Sequence, residues 1–198
     1  MISKDKLYGL VLSGGKSTRM GEDKGQIAYH GMPQRDYLYH LLDEVCERTY
    51  MSIRKEQEGE IAAGYNSIQD QDEYKGPFNG LLSAHSQFPD VAWLVLACDL
   101  PLMDAPSLRQ LISARDPNKM ATTFAQKENP LPEPLCAIWE PQALRSSISY
   151  LAQGNGIGPR KFLINNEVKL VFPKNADVLF NANSKANYKE ALEKLETI

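Results

Sequence analysis

The chain has 198 residues, enough for one well-buried core. Hydrophobic residues make up 42% and charged residues 24%, which excludes a disordered chain, a collagen-like repeat and a disulfide scaffold. With 22 Lys and Arg against 25 Asp and Glu, the net charge of -3 provides no global basic field for nucleic acid or anionic lipid. Any phosphate must therefore be held by a local cluster.

No apolar run approaches the roughly 20 residues that span a bilayer. The opening Met1-Ile2-Ser3-Lys4-Asp5-Lys6 lacks the apolar stretch of a signal peptide. Cys46, Cys98 and Cys136 are odd in number and far apart, and read as free thiols in a reducing compartment. His30, His40 and His85 lack metal-ligand spacing. The expectation is a cytoplasmic protein with a single domain over residues 1–198, without nucleic-acid or membrane partners.

In chain order, Leu7 to Leu12 is a continuous apolar run ending in Ser13-Gly14-Gly15, which predicts a buried strand entering a loop. Tyr37, Leu38, Leu41, Leu42 and Val45 recur at helical spacing, predicting a helix over 34–48. Thr49 to Ile53 reads as a strand, and another short one precedes Asp70. Pro77 suits a first helical turn, continued by Leu81, Leu82, Ala84 and His85. Trp93 to Ala97 is the most apolar strand and runs into Cys98-Asp99-Leu100-Pro101. A helix is expected over 105–114, strands over 120–125 and 135–139, and helices over 141–153 and 159–164. A strand at 168–172 and an amphipathic helix at 187–195 close the chain. Strands alternating with helices imply an α/β sandwich with a mostly parallel sheet, whose ligands sit beyond the carboxyl ends of the strands.

The polar motifs fall at those ends. Gly14-Gly15 lets the backbone turn sharply and present N–H groups to a ligand, and Lys16, Arg19 and Lys24 supply cationic donors for phosphate. Gly15-Lys16-Ser17 imitates the end of a P-loop, but the first glycine of that motif would have to stand at Leu10, inside the strand. The P-loop NTPase therefore ranks second. Asp99, ending the most apolar strand, suits Mg²⁺, which takes one or two carboxylates plus phosphate oxygens; a turn or cap is its plainer role. Asn181-Ala182-Asn183-Ser184 can cap the last helix, and gains a ligand role only if Asn183 converges on Asp99. Asp70 can accept hydrogen bonds from a nucleobase or stand in solvent, and Arg160 can hold an anion or form a surface ion pair. No Ser-His-Asp or Cys-His arrangement is suggested.

Together these segments resemble the molybdenum cofactor guanylyltransferases, the MobA-like members of the nucleotidyltransferase superfamily. Leu12-Ser13-Gly14-Gly15-Lys16-Ser17-Thr18-Arg19-Met20-Gly21-Glu22-Asp23-Lys24 is similar to the family's L-x-G-G-x-S-x-R-M-G-x-D-K signature. Gly76-Pro77-Phe78-Asn79-Gly80 resembles its G-P-L-x-G turn, Cys98-Asp99-Leu100-Pro101 its C-D-x-P, and Asn181-Ala182-Asn183-Ser184 its N-x-N-T-P. The resemblance implies a three-layer α/β/α sandwich, the Rossmann-like nucleotidyltransferase fold with a mostly parallel mixed sheet. It implies transfer of GMP from GTP to the phosphate of molybdopterin, with release of pyrophosphate. By position, Leu12, Ser13, Gly14, Gly15, Ser52 and Gly80 would lie against the nucleotide, and Asp70 would take guanine. Arg19 and Lys24 would bind phosphates, and Asp99 with Asn183 would hold Mg²⁺. Pro134-Leu135-Cys136 and Arg160 would approach the pterin. Transient contact with molybdenum cofactor biosynthesis proteins or target molybdoenzymes is also implied.

The chain departs from the family at Ser184-Lys185, where Thr-Pro is usual, at Asn79 in the glycine turn, and at the polar Met32-Pro33-Gln34-Arg35. The alternatives left open are a molybdopterin cytidylyltransferase, a sugar-phosphate nucleotidyltransferase and a noncatalytic nucleotide-binding protein. Paired Gly14-Gly15 favours guanine, because cytidylyl relatives more often carry Ala-Gly-Gln there.

Overall fold

The apolar runs become the central strands of a seven-stranded sheet in a computed structural model that describes residues 6–15 and 23–196. The strands are β1 (Leu7–Leu12), β2 (Arg48–Ile53), β3 (Ser67–Gln69), β4 (Ala92–Ala97), β5 (Ala121–Phe124), β6 (Cys136–Trp139) and β7 (Val168–Val171). Their order across the sheet is β3-β2-β1-β4-β6-β5-β7, with β6 alone antiparallel to its neighbours. The mostly parallel mixed sheet expected from the sequence is thus present.

Alternation along the strands divides the core between two faces. Leu7 and Val11 of β1 and Leu94 and Leu96 of β4 join Leu38 and Leu42 of helix α1 (Gln34–Asp43) and Leu108 and Leu111 of α3 (Ala105–Ser113). Tyr8 and Leu10, with Trp93 and Val95, face the other way. They meet Phe78, Leu81 and Leu82 of α2 (Pro77–Gln87), Leu144 of α4 (Pro141–Ala152) and Phe162 of α5 (Pro159–Ile164). A strand buried on both faces must be apolar throughout, which is why β1 and β4 read as unbroken hydrophobic runs. Gly9 is set by this packing, since a Cβ there would lie 2.8 Å from Leu42 Cβ.

Helix α1 is shorter than its periodicity predicts. The Cys46 N–H turns back to the Leu42 carbonyl, and the Glu47 N–H joins the Leu7 carbonyl at the sheet. Pairing with β1 therefore captures Arg48, which opens β2 where the sequence suggested the helix would end. Short 3-10 turns at Lys55–Glu60 and Ala176–Leu179 have no apolar periodicity and were not foreseen. Helix α6 (Lys185–Leu195) begins two residues earlier than expected, because Ser184 is its N-cap and accepts from the Asn187 N–H. Its Tyr188 and Ala191 close a satellite core with Tyr29 and Ala182. No helix among the described residues is long and apolar enough to cross a membrane.

Candidate active site

Strand register brings the sequence motifs to one edge of the sheet. Leu12 pairs with Ser52 on one side and Ala97 on the other, and Ser52 pairs in turn with Ile68. Ser13-Gly14, Arg54, Asp70 and Cys98-Asp99 therefore all leave the sheet at the carboxyl ends of parallel strands. The chain reverses its winding direction between β1 and β4, where open α/β sheets leave a crevice. A cleft of about 580 Å³ occupies that position, with Asp70 at its β3 end and Asp99 at its β4 end. Three strand spacings separate β3 from β4, about 14 Å across the sheet.

Asp70 is 9% exposed and is held from two directions. Its N–H donates to the Ile53 carbonyl at 2.8 Å, and the Ser52 hydroxyl donates to its Oδ1 at 2.6 Å. Burial pushes its carboxyl up to about 6; Asp72 adds to that rise, while the Ser52 hydrogen bond and the Arg54 charge oppose it. Ser52 is itself buried, so it acts on the cleft chiefly by orienting Asp70. Two glycines permit this packing. A Cβ on Gly14 would sit 2.5 Å from Asp70 Oδ2, and one on Gly80 would sit 2.2 Å from Ser52 Oγ and 2.8 Å from Leu12 Cδ2. Gly15 also borders the cleft, but a Cβ there would meet nothing within 4 Å among the described residues.

A polar network beneath the glycine loop was not identified from the sequence. Arg54 donates from Nη1 to the Gly14 carbonyl at 2.7 Å, and Gln57 donates from Nε2 to the Ser13 carbonyl at 3.2 Å and to Asp23 Oδ2 at 2.9 Å. The Ser13 N–H and hydroxyl both donate to the Ser52 carbonyl, at 3.1 and 3.0 Å. The loop leaving β1 is thereby tied to the β2 end on both sides. The local signal was a polar pair spaced three residues apart immediately after a strand, at Arg54 and Gln57.

At the other end, Lys24 lies between two oxygen acceptors. Its ammonium hydrogen-bonds Asn183 Oδ1 and stands 4.0 Å from Asp99 Oδ2. Burial raises the Asp99 carboxyl above its ordinary range, and Lys24 partly offsets this. The Asp99 carbonyl accepts from the Ala182 N–H at 2.9 Å, which pins the segment before α6 to the end of β4. Asn183 thus converges on Asp99 across 84 positions of sequence, the condition for its ligand role.

The donor set fits a hard divalent cation in part. One carboxylate and one amide carbonyl are both oxygen donors, and a cationic nitrogen already lies beside them. Among the described residues no group of three or more His, Cys, Asp or Glu is placed to hold a metal, so a cation at Asp99 and Asn183 would complete its shell with water or phosphate oxygens.

The polar stretch before α1 has a clear place in this arrangement. Gln34 is fully buried and donates to the Leu100 carbonyl at 3.1 Å, while His30 Nε2 lies 2.8 Å from the Pro101 carbonyl. Since a carbonyl only accepts, His30 carries its proton on Nε2. Arg35 reaches Glu60, donating to its carbonyl at 2.9 Å. Gln34 and His30 thus brace the loop that follows Asp99, while Arg35 ties α1 to the turn after β2.

Other expected residues are placed differently. Leu135 borders the cleft, but Cys136 is fully buried in β6 and Pro134 is buried beside it. Arg160 is half-exposed and engaged with Glu133 at 2.6 Å and the Pro132 carbonyl at 3.1 Å, and does not border the cleft. Lys16 and Arg19 lie outside the described residues.

Comparison with known proteins identifies the family and the fold. The chain is 36% identical over 189 residues to a molybdenum cofactor biosynthesis bifunctional protein of Synechocystis, covering 94% of this chain and 54% of that relative. The chain therefore spans about half the length of that bifunctional relative. It is 26% identical over 178 residues to a molybdenum cofactor guanylyltransferase of Pseudomonas fluorescens, covering 88% of each. Among solved structures, molybdopterin-guanine dinucleotide biosynthesis protein A of Archaeoglobus fulgidus superposes with a TM-score of 0.79 at 21% identity, over 96% of this chain and all of that one. That likeness establishes the fold. The family description MobA-like NTP transferase domain matches residues 9–169, the stretch that carries Gly14, Asp70 and Asp99, and the chain belongs to that family.

Proposed function

We propose that this protein transfers GMP from GTP to the terminal phosphate of molybdopterin, forming the guanine dinucleotide cofactor and releasing pyrophosphate. The observation that carries the reading is one cleft with a buried carboxylate, Asp70, at one end and Lys24, Asp99 and Asn183 gathered at the other. Their separation is comparable to the length of an extended nucleoside triphosphate. The names of its relatives support the same substrates.

Guanine presents two adjacent donors, N1–H and the 2-amino group, and an ionised Asp70 accepts both. Adenine and cytosine offer no such pair. The Gly14 and Gly15 N–H groups and Lys24 hold the triphosphate, with Arg19 joining them by resemblance. The acceptor phosphate is already an anion at neutral pH, so it attacks the α-phosphorus without a protein base. A bond forms between the acceptor oxygen and the α-phosphorus, and the bond to the bridging oxygen of the β-phosphate breaks. The electron pair leaves with pyrophosphate, in line. The residues supply alignment and charge neutralisation, which is the protein's main task in phosphoryl chemistry.

A divalent cation, Mg²⁺ in this reading, would be held by Asp99 with Asn183 and would neutralise phosphate charge when bound. The reaction is assigned to one domain, acting in the cytoplasm.

The test is pyrophosphate release by the purified chain supplied with molybdopterin, Mg²⁺ and GTP, CTP or ATP in turn. Release with GTP alone supports the reading. Preference for CTP would move the protein to a cytidylyl role, and GTP binding without turnover would make it a noncatalytic binder.

A further inference from the structure

The base end of the cleft contains a cation that the reading above does not use. Arg54 follows β2 as Asp70 follows β3, on neighbouring parallel strands, and both border the cleft. The vacant Cβ position of Gly14 lies 2.5 Å from Asp70 Oδ2 and 3.7 Å from Arg54 Cγ, so the two side chains flank the same point. The Arg54 backbone is fixed by Gln57, through N–H to Oε1 at 2.9 Å and O to N–H at 3.0 Å. Its side chain is 25% exposed. One guanidinium N–H is used on the Gly14 carbonyl, at 2.7 Å. The approaches of Nη2 to Asp23 and Nε to Glu56, at 4.0 and 3.8 Å, are longer than hydrogen bonds. A guanidinium has five N–H donors, so donors remain for a ligand.

We infer that Arg54 is a specificity-determining residue that donates to O6 of guanine while Asp70 accepts from N1–H and the 2-amino group. This rests on the proposed placement of guanine at Asp70. The chemistry is that of a donor beside an acceptor pair. Guanine carries O6 next to N1–H, and arginine pairs favourably with O6 and N7 of guanine. Adenine and cytosine present an amino group in place of O6 and set donor against donor. The same guanidinium favours the ionised form of Asp70, so the two residues reinforce each other. Binding of Arg54 to the Gly14 carbonyl also means that the residue reading the base is coupled to the loop that receives the phosphates.

Analogue binding isolates the O6 contact. In 6-thio-GTP the N1–H and 2-amino group are kept and O6 becomes a poor acceptor, whereas ITP keeps O6 and lacks the 2-amino group. Titration calorimetry of the full chain with Mg²⁺ should show wild type binding 6-thio-GTP more weakly than GTP. Arg54→Met should weaken GTP and ITP alike by about 10- to 100-fold and leave 6-thio-GTP nearly unchanged. Arg54→Lys, retaining one cationic donor, should recover part of the loss. Equal weakening of every nucleotide by Arg54→Met would overturn the proposal and reduce Arg54 to a loop tie. Wild type that binds GTP and 6-thio-GTP equally would also overturn it, and that measurement needs no variant to fold. If wild type prefers GTP to CTP and ATP yet ignores the thio substitution, only the role of Arg54 falls. If it shows no preference for GTP, the placement of guanine at Asp70 falls as well.

Discussion

Gly14 and Asp70 are packed against each other so closely that a single methyl group on Gly14 would reach 2.5 Å from Asp70 Oδ2. That carboxylate cannot retreat without breaking its 2.6 Å hydrogen bond to Ser52. A Cβ on its neighbour Gly15 would meet no described residue within 4 Å, and neither glycine has the positive φ that would itself demand glycine. Gly14→Ala should therefore weaken GTP binding by at least about tenfold through displacement of Asp70, a loss of about 1.4 kcal/mol. Gly15→Ala should remain within about threefold of wild type, well under 1 kcal/mol. Equilibrium titration with GTP separates the two, and equal losses would show that the loop needs both glycines for its backbone path.

Asp70 gives the site a pH dependence with a definite sign. Its carboxyl titrates at about 6 in the folded protein against an ordinary value of 3.8, mainly because it is buried. The ionised form is the one that can accept from guanine, so GTP affinity should rise as pH increases through about 6 and level off beyond 7. Stability moves in the opposite direction. The folded state binds this proton more tightly than the unfolded chain, so the contribution of Asp70 is favourable below the ordinary carboxyl range and is lost as pH rises through about 6. Asp70→Asn should thus stabilise the ligand-free protein above pH 7 by on the order of 2–3 kcal/mol, while abolishing the preference for GTP. Thermal melts at pH 5 and pH 8 measure this, and the stabilisation should shrink at the lower pH.

The two ends of the cleft were unequally legible in the sequence. Strands β1 and β4 are buried on both faces, so their apolar runs and the polar residues ending them stand out without knowledge of any neighbour. Asp99 and the Gly14 loop were visible for that reason. Strand β3 is three residues long and gains its position only through parallel pairing with β2. Whether Asp70 was solvated or part of a site depended on that pairing. Arg54 and Gln57 have the same explanation: their partners, the Gly14 and Ser13 carbonyls, are 40 and 44 positions away. Helix α1 was overextended because local periodicity does not register the competing pull of β1 on Arg48.

Lys24 occupies the space between Asp99 and Asn183. Removing it should have two opposed effects. Lys24→Met should raise the apparent KM for GTP by about tenfold or more, because a cation that binds phosphate is lost. In the absence of nucleotide it should bind Mn²⁺ more tightly than wild type, because the competing ammonium is gone. Electron paramagnetic resonance of free Mn²⁺ reports the second effect independently of turnover. Weaker Mn²⁺ binding in the variant would show that Lys24 does not compete for these oxygens. Asp99→Asn, which keeps the shape and removes the charge, should lower kcat by about 100-fold or more with little change in thermal stability.

Gln34 provides a test of positioning separate from every group in the cleft. It is fully buried in α1, its Nε2 holds the Leu100 carbonyl one residue after Asp99, and its Oε1 has no hydrogen-bond partner among the described residues. Burying that amide oxygen unpaired costs about 1–3 kcal/mol, similar to what the single hydrogen bond contributes. Gln34→Leu removes both at nearly constant volume, so stability should change by less than about 1 kcal/mol. The loop bearing Asp99 then loses one of its braces, and kcat should fall by about tenfold while the KM for GTP stays near the wild-type value. Gln34→Glu is the contrasting case, since a carboxylate would face the Leu100 carbonyl with no N–H to donate, and should be strongly destabilising. If Gln34→Leu leaves kcat unchanged at equal stability, the loop is held without it, by His30, Tyr37 and the Ala182–Asp99 hydrogen bond.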